Sequence, residues 1–267
     1  MIRRMITVLS SFLLMFILVG CASSPERELS QKTPLYAALP NGYDPLNPGR
    51  LSPMYLSAMP DVKGNFIRHL ERKRGHALNL LSLSGGGQNG AFGAGFLNGW
   101  RESGQRPEFD IVAGVSTGAL LATHALLGTP ADDAILEKMY TQVTKNNIFE
   151  NRSIYGILSG SDSLRDTAPL RTLIAEYVTA ETLQRVASAY DNNRLLLVGT
   201  TNIDYAQTWI WNMSLIAKHG MLDLYRDVLI ASASFPIIFP PVEIEGHLFF
   251  DGAARSNIVV PGMAGTD

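Results

Sequence analysis

One serine in this sequence has the surroundings that nucleophilic chemistry requires. Ser116 is the centre of Gly114-Val115-Ser116-Thr117-Gly118, which follows the apolar run 109–113 and precedes the apolar segment 119–122. A sharp turn from strand to helix exposes a serine at this position, and the flanking glycines keep other side chains away from it. The start of the helix also favours developing negative charge. The pattern therefore predicts that Ser116 is a nucleophile.

A second glycine-rich turn is suited to receive the negative charge that such an attack creates. Gly85, Gly86 and Gly87 follow the apolar segment 78–83 and open the apolar, helix-like segment 91–97. Consecutive glycines leave backbone N–H groups without side chains in front of them, so an oxyanion can come within hydrogen-bond distance. In other enzymes the loss of one such donor raises the barrier by on the order of 3 kcal/mol. We predict that these glycines form an oxyanion hole.

The same segment also matches the dinucleotide-binding fingerprint, because Gly85, Gly87 and Gly90 spell Gly-x-Gly-x-x-Gly. A cofactor domain has an acidic residue about 20 residues later, at the end of the second strand, where it holds a ribose. Here Asp110 precedes its strand, and Ser116 occupies the exit of that strand. We therefore favour the hydrolase interpretation and expect no cofactor.

Two arrangements are open for the group that accepts the serine proton. Asp251 leaves an apolar strand and enters Gly252 and the small Ala253, where a carboxylate can face another turn at close range. In a desolvated pocket its pKa would rise, which makes it a better base. Asp223 followed by His247 fits the order of acid and histidine in common triads, although neither residue carries a local signature.

The remaining periodicity predicts alternating strands and helices, and hence a three-layer α/β/α fold with a largely parallel central sheet. In such sheets ligands bind at the carboxyl ends of the strands, where both glycine turns lie. The polar segment 145–166 is either a flap over the site or a surface loop. Helices are predicted over 65–74, over 132–143, over 169–177 with a prolongation over 181–190, and over 221–232. Strands are predicted over 194–200, 208–211, 242–244 and 247–250.

The first twenty residues have the pattern of a bacterial export signal. A basic start and an apolar run over 5–16 lead into Leu18-Val19-Gly20-Cys21, which resembles a lipoprotein processing site. The resemblance implies cleavage before Cys21 and acylation of this residue, which anchors the chain in a membrane. An uncleaved anchor is the alternative, but the apolar run is short for a span of roughly 20 residues. Ala22 in the next position favours the outer membrane in a cell with two membranes.

Composition supports an exported chain with one catalytic domain. Cys21 is the only cysteine, so the domain is held together by its core and not by disulfides. Residues 22–60 contain seven prolines, which predicts an extended lipidated tether over 21–60 and a folded domain over 61–267. The formal net charge of −2 gives no general basic field, so we expect no nucleic-acid partner.

Three motifs in chain order resemble the patatin-like phospholipases, namely the glycine turn 85–90, the turn 114–118 and Asp251-Gly252-Ala253. Further similarity lies in 200–204, 231–236 and 239–242, so the resemblance covers about 78–257. It implies a patatin-like α/β/α fold in which Ser116 and Asp251 form a catalytic dyad. It also implies Gly85, Gly86 and Gly87 as the oxyanion loop, and hydrolysis of acyl esters of phospholipids, lysophospholipids or neutral lipids without a metal.

The sequence departs from the family pattern at two places. Family members usually carry arginine or lysine where this chain has Asn89, so neutral and simple esters stay open as substrates beside phospholipids. The chain ends soon after Asp251, whereas the family commonly continues with further helices, so it is a fragment or a short form. A membrane-anchored protein that uses the same cleft only to bind acyl chains or a partner is the alternative to the enzyme.

Overall fold

The computed structural model describes residues 37–40, 77–141, 150–151, 165–236 and 238–259. The predicted signal peptide, Cys21, most of the tether, the predicted helix 65–74 and most of the segment 145–166 lie outside the described residues. The chain divides into two compact units, Met1–Ser30 and Gln31–Asp267, and every described residue belongs to the second. No helix among these residues is both long and apolar enough to cross a bilayer.

Within the described ranges, seven strands form one mixed sheet. Its centre is parallel: β2 (Leu80–Leu83) pairs with β3 (Ile111–Val115), which pairs with β6 (Leu195–Asn202). The flanking strands run antiparallel to their neighbours. They are β1 (Ala37–Pro40), β7 (Gln207–Asn212), β8 (Val242–Ile244) and β9 (His247–Asp251), while β4 (Glu150–Asn151) and β5 (Arg165–Asp166) pair separately.

The helices follow the predicted pattern with two differences. The segment from 169 to 190 is two helices because the Thr179 side chain accepts a hydrogen bond from the Thr182 N–H and caps the second one. A short helix that periodicity missed begins after Asn212, which caps it in the same way. The helices are α1 (Gly90–Glu102), α2 (Thr117–Leu127), α3 (Pro130–Thr141), α4 (Ala168–Tyr177), α5 (Ala180–Asp191), α6 (Met213–Lys218) and α7 (Leu222–Ala233).

The strand β3 and the first half of β6 are buried on both faces of the sheet, which explains why these segments are apolar. All residues of β3 and β6 are buried. Val112 belongs to the large apolar cluster that the helices share, whereas Ile111 and Ala113 belong to a smaller cluster on the other face of the sheet. Trp209 and Trp211 are buried in the large cluster, so they are core residues.

The register of β6 brings two distant parts of the chain together. Val115, the last residue of β3, pairs with Gly199 of β6. Asp251, the last residue of β9, pairs with Thr200, the next residue along the same strand. Because β7 pairs with residues 197–202 along the other edge of β6, β3 and β9 meet end to end along one edge of this strand. Ser116, which follows β3, therefore lies next to Asp251, which ends β9.

The turn between β3 and α2 is packed too tightly for a side chain at Gly118. A β-carbon built on Gly118 would lie 2.3 Å from the Leu83 carbonyl oxygen, and one on Gly114 would lie 2.5 Å from the Gly118 carbonyl oxygen. The glycines of the serine pentapeptide thus allow α2 to start directly against β2. Gly99, in contrast, lies on the exposed side of α1, and a β-carbon there would meet no atom within 4 Å.

We expect alanine to have opposite effects at these two glycines. Gly118→Ala overpacks the turn and lowers the free energy of unfolding by about 1–3 kcal/mol. Gly99→Ala, the control, raises it by about 0.5–1 kcal/mol because alanine restricts the unfolded chain and favours the helix. Urea unfolding followed by circular dichroism measures both values, and equal effects at the two positions would contradict the described packing.

Candidate active site

Ser116 occupies a strained turn between β3 and α2. Its backbone has φ 56° and ψ −126°, a left-handed conformation that side chains other than glycine rarely adopt. The Ser116 carbonyl accepts the first hydrogen bonds of α2, from the N–H groups of Ala119 and Leu120. The strained conformation is thus held by β3 on one side and α2 on the other. It places the Ser116 hydroxyl at the carboxyl end of β3.

A fully buried serine of α7, Ser232, fixes this turn from behind. The Ser116 N–H donates to Ser232 Oγ at 3.0 Å, and Ser232 Oγ donates to the Gly199 carbonyl oxygen at 2.7 Å. One hydroxyl therefore links the turn to the central strand. Sequence reasoning missed this role, although Ser232 lies in the segment 231–236 that carries part of the family resemblance.

Asp251 is 1% exposed and is held from several directions. Its carboxylate accepts hydrogen bonds from the Ser116 side chain and, at Oδ1, from the Ala253 N–H at 2.8 Å. Its backbone N–H donates to the Ser234 carbonyl oxygen, and its carbonyl oxygen accepts from the Thr201 hydroxyl. The structure thus brings together the two side chains that the sequence predicts as a dyad.

Burial raises the pKa of Asp251 from 3.8 to about 6. Desolvation of the carboxylate is the main cause, and the hydrogen bonds from Ser116 and the Ala253 N–H oppose it. Near neutral pH the carboxylate is still ionised, but it binds a proton far more readily than an exposed aspartate. This is the property expected of a general base.

The glycine loop lies against the serine, and its three N–H groups differ. A β-carbon on Gly85 would lie 2.9 Å from the Ser116 β-carbon, and the Gly85 N–H donates to the Asn257 carbonyl oxygen at 3.2 Å. The N–H groups of Gly86 and Gly87 donate to no acceptor among the described residues. Gly87 has φ 55° and open space around its α-carbon. The donors left for an incoming oxyanion are therefore those of Gly86 and Gly87.

The start of α2 is also tied to α3. Thr117 Oγ1 and Tyr140 Oη are 2.5 Å apart, and a β-carbon on Gly90 would lie 2.2 Å from Tyr140 Oη. Gly90 thus leaves room for the tyrosine that contacts the residue after Ser116. The Thr117 N–H is a further candidate oxyanion donor, because it lies at the first position of α2, where a helix supplies no internal acceptor.

The histidine arrangement is not assembled in the structure. His247 starts β9 and lies four strand residues, about 13 Å, from Asp251. It is buried between the rings of Tyr205 and Trp209, with Nδ1 3.4 Å from Asp204 Oδ2. Asp223 is exposed in the first turn of α7. The alternative pair of Asp223 and His247 therefore does not reach Ser116.

A cavity of about 330 Å³ lies at the amino ends of β3 and β6, at the opposite end of these strands from Ser116. Its arginines are engaged: Arg194 donates to the Phe109 and Leu126 carbonyl oxygens, and Arg106 donates to Asp133. They satisfy main-chain and carboxylate groups at this end of the sheet. No group of histidine, cysteine or acidic residues in the described ranges has the arrangement of a metal site.

The chain is similar to known proteins. The family model described as patatin-like phospholipase matches residues 81–263. A solved structure, the crystal structure of VipD from Legionella pneumophila, matches with a TM-score of 0.48 and 17% identity, over 71% of this chain and 48% of that chain. The chain thus spans about half the length of that protein. No curated protein matches the sequence.

The family match confirms the predicted fold class, a three-layer α/β/α patatin fold. It covers the glycine turn 85–90, the serine pentapeptide and the aspartate motif. Because it extends over more than half of the sequence, the chain belongs to the patatin-like phospholipase family.

Proposed function

We propose that this chain is a serine hydrolase of lipid acyl esters that works through Ser116 and Asp251. The observation that carries the proposal is the hydrogen bond from the Ser116 hydroxyl to a buried carboxylate whose pKa is raised to about 6. A serine needs a neighbouring base, and no imidazole of the described residues fills that role. Membership of the family supports a lipid ester as the substrate.

In the first step the Asp251 carboxylate accepts the proton of the Ser116 hydroxyl while Oγ bonds to the ester carbonyl carbon. The carbonyl π electrons move to the oxygen, which becomes an oxyanion. The Gly86 and Gly87 N–H groups are the donors available to stabilise it, and the N-terminal end of α2 adds its dipole. The raised pKa of Asp251 makes this proton transfer less unfavourable than it would be for an exposed aspartate.

In the second step the tetrahedral intermediate collapses, and the bond to the alcohol oxygen breaks. The alcohol, a lysolipid or a simple alkanol, leaves with the proton that Asp251 returns. Water then donates a proton to Asp251 as it attacks the acyl-serine, and a second collapse releases the fatty acid and restores the Ser116 hydroxyl. Asp251 returns each proton that it accepts, so the cycle needs no reactant other than the ester and water.

The proposal extends to substrate range and location. Asn89 is the residue directly before α1, beside the glycine loop, and relatives usually carry a cation at this position. Neutral and simple esters therefore belong to the proposed range beside phospholipids and lysophospholipids. We further propose that acylation of Cys21 holds the domain at a membrane, the outer membrane of a cell with two membranes. The sequence motif around Cys21 supports this part.

The activated serine is tested by labelling the purified protein with a fluorophosphonate, which reacts with an activated serine and not with a mere pocket. We expect labelling of the parent protein and none of Ser116→Ala. Asp251→Asn removes the base and slows labelling by at least about a hundredfold. The matched control is Asp204→Asn, which neutralises the carboxylate beside His247 and leaves the labelling rate unchanged.

Two outcomes would contradict the proposal. A parent protein that folds but does not label would be a binding protein with a silent cleft. Full labelling of Asp251→Asn together with loss of labelling in Asp204→Asn would assign the role of the base to His247.

Ser232 is expected to be a positioning residue for this reaction. Ser232→Ala leaves the Ser116 N–H without its acceptor, which costs about 1–3 kcal/mol of stability and lowers kcat about tenfold or more with little change in KM. The control is Ser234→Ala, because the buried Ser234 hydroxyl donates only to the Ile230 carbonyl oxygen within α7. It should lose some stability and keep its kcat. An equal effect of both variants on kcat would assign Ser232 a purely structural role.

A further inference from the structure

Exposed large apolar side chains are concentrated around the proposed active site. Five such residues occur in the described part of the chain: Leu80 is 40% exposed, and Phe92, Phe96, Phe235 and Ile258 are 77%, 55%, 46% and 51% exposed. The last four, which we call the apolar rim, adjoin elements of the site. Leu80 lies apart from them, at the amino end of β2.

Each member of the apolar rim is linked to the site by the chain itself. Phe92 and Phe96 are on α1, which begins at Gly90 directly after the glycine loop. Phe235 follows Ser234, whose carbonyl oxygen accepts the Asp251 N–H. Ile258 follows Asn257, whose carbonyl oxygen accepts the Gly85 N–H. The rim therefore borders the edge of the sheet at which Ser116 and Asp251 meet.

The outward face of α1 is apolar over its first ten residues. No charged residue occurs between Gly90 and Gly99, and β-carbons on Gly95 and Gly99 would meet no atom within 4 Å. The Phe92 and Phe96 rings stack with centroids 6.2 Å apart, and the Phe96 and Trp100 rings lie 5.6 Å apart. These ring contacts hold the exposed phenylalanines in place. The buried face of α1 is formed by Ala94 and Leu97, so Phe92 and Phe96 are not part of the core.

We propose that the apolar rim docks the domain onto a lipid surface, so that Ser116 faces acyl esters at the boundary of that phase. This inference rests on the proposed function, because a lipid ester resides in such a surface. Burial of phenylalanine and isoleucine among acyl chains favours docking, and aromatic side chains suit the interface. The exposed Arg255, three residues before Ile258, suits the phosphate of a headgroup. A second copy of the chain bound to the apolar rim would instead block the access of substrate to Ser116.

Depth-dependent fluorescence quenching tests docking without catalysis. In a Ser116→Ala background, Phe92→Trp and the control Leu80→Trp are mixed with phosphatidylcholine vesicles that carry brominated acyl chains. We expect the emission added by Phe92→Trp to shift to the blue and to lose roughly half its intensity or more, while that of Leu80→Trp is unchanged. The emission of Trp100, Trp209 and Trp211 in the parent background is subtracted.

Equal quenching at both positions, or none at position 92, would overturn the proposal. So would a blue shift of Phe92→Trp that follows protein concentration without lipid, because that result would assign the rim to a second copy. The outcome does not depend on hydrolysis, so it separates failure of docking from failure of the proposed function.

A kinetic measurement on the active protein gives a second readout. The Phe92→Gln/Phe96→Gln variant should lower the ratio of hydrolysis rates on an aggregated ester and on a water-soluble ester about tenfold, since two apolar anchors are lost. Leu80→Gln is the control and should keep the ratio of the parent. Hydrolysis of neither ester by the parent would contradict the proposed function alone, and an unchanged ratio in the double variant would contradict docking alone.

Discussion

The site depends on one hydrogen bond, from the Ser116 hydroxyl to a carboxylate that the fold has removed from water. A rise in the pKa of Asp251 from 3.8 to about 6 corresponds to a cost of about 3 kcal/mol for the ionised form in the folded state. The pKa is higher in the folded than in the unfolded chain, so the cost is absent below about pH 4. It grows as the pH rises toward 6 and is complete above that. At neutral pH the protein gives up stability to keep a strong base beside a serine.

The rest of the fold holds the two partners of this bond at fixed positions. The strand β6 sets their separation, because Val115 pairs with Gly199 and Asp251 pairs with Thr200. Ser232 joins the serine turn to the same strand through the Gly199 carbonyl oxygen. Ser116 and Asp251 are thus both positioned by β6, whose eight residues are all buried. A site built on such a strand keeps its geometry better than one built on loops.

The sequence was most informative where a local pattern sets the structure. The glycines around Ser116 and the strand before Asp251 predict the two turns, and the family match confirms the fold class. Contacts between distant elements could not be predicted, because no local sequence pattern indicates them. The hydrogen bond from the Ser116 N–H to Ser232, for example, joins residues that are 116 positions apart. The hydrogen bond from the Gly85 N–H to the Asn257 carbonyl oxygen and the contact of His247 with Asp204 likewise join residues that are distant in the sequence. The catalytic roles of Ser116 and Asp251 and the acylation of Cys21 stay predictions.

The central claim, that the buried Asp251 carboxylate takes the Ser116 proton, is tested most directly by the pH dependence of kcat/KM on a soluble ester between about pH 4 and pH 8. Only the ionised carboxylate accepts a proton, so the account predicts that kcat/KM rises with one ionisation near the pKa of about 6 and is level above it. An activity that is already maximal at pH 4, or an ionisation near 7 that persists in Asp251→Asn, would contradict it.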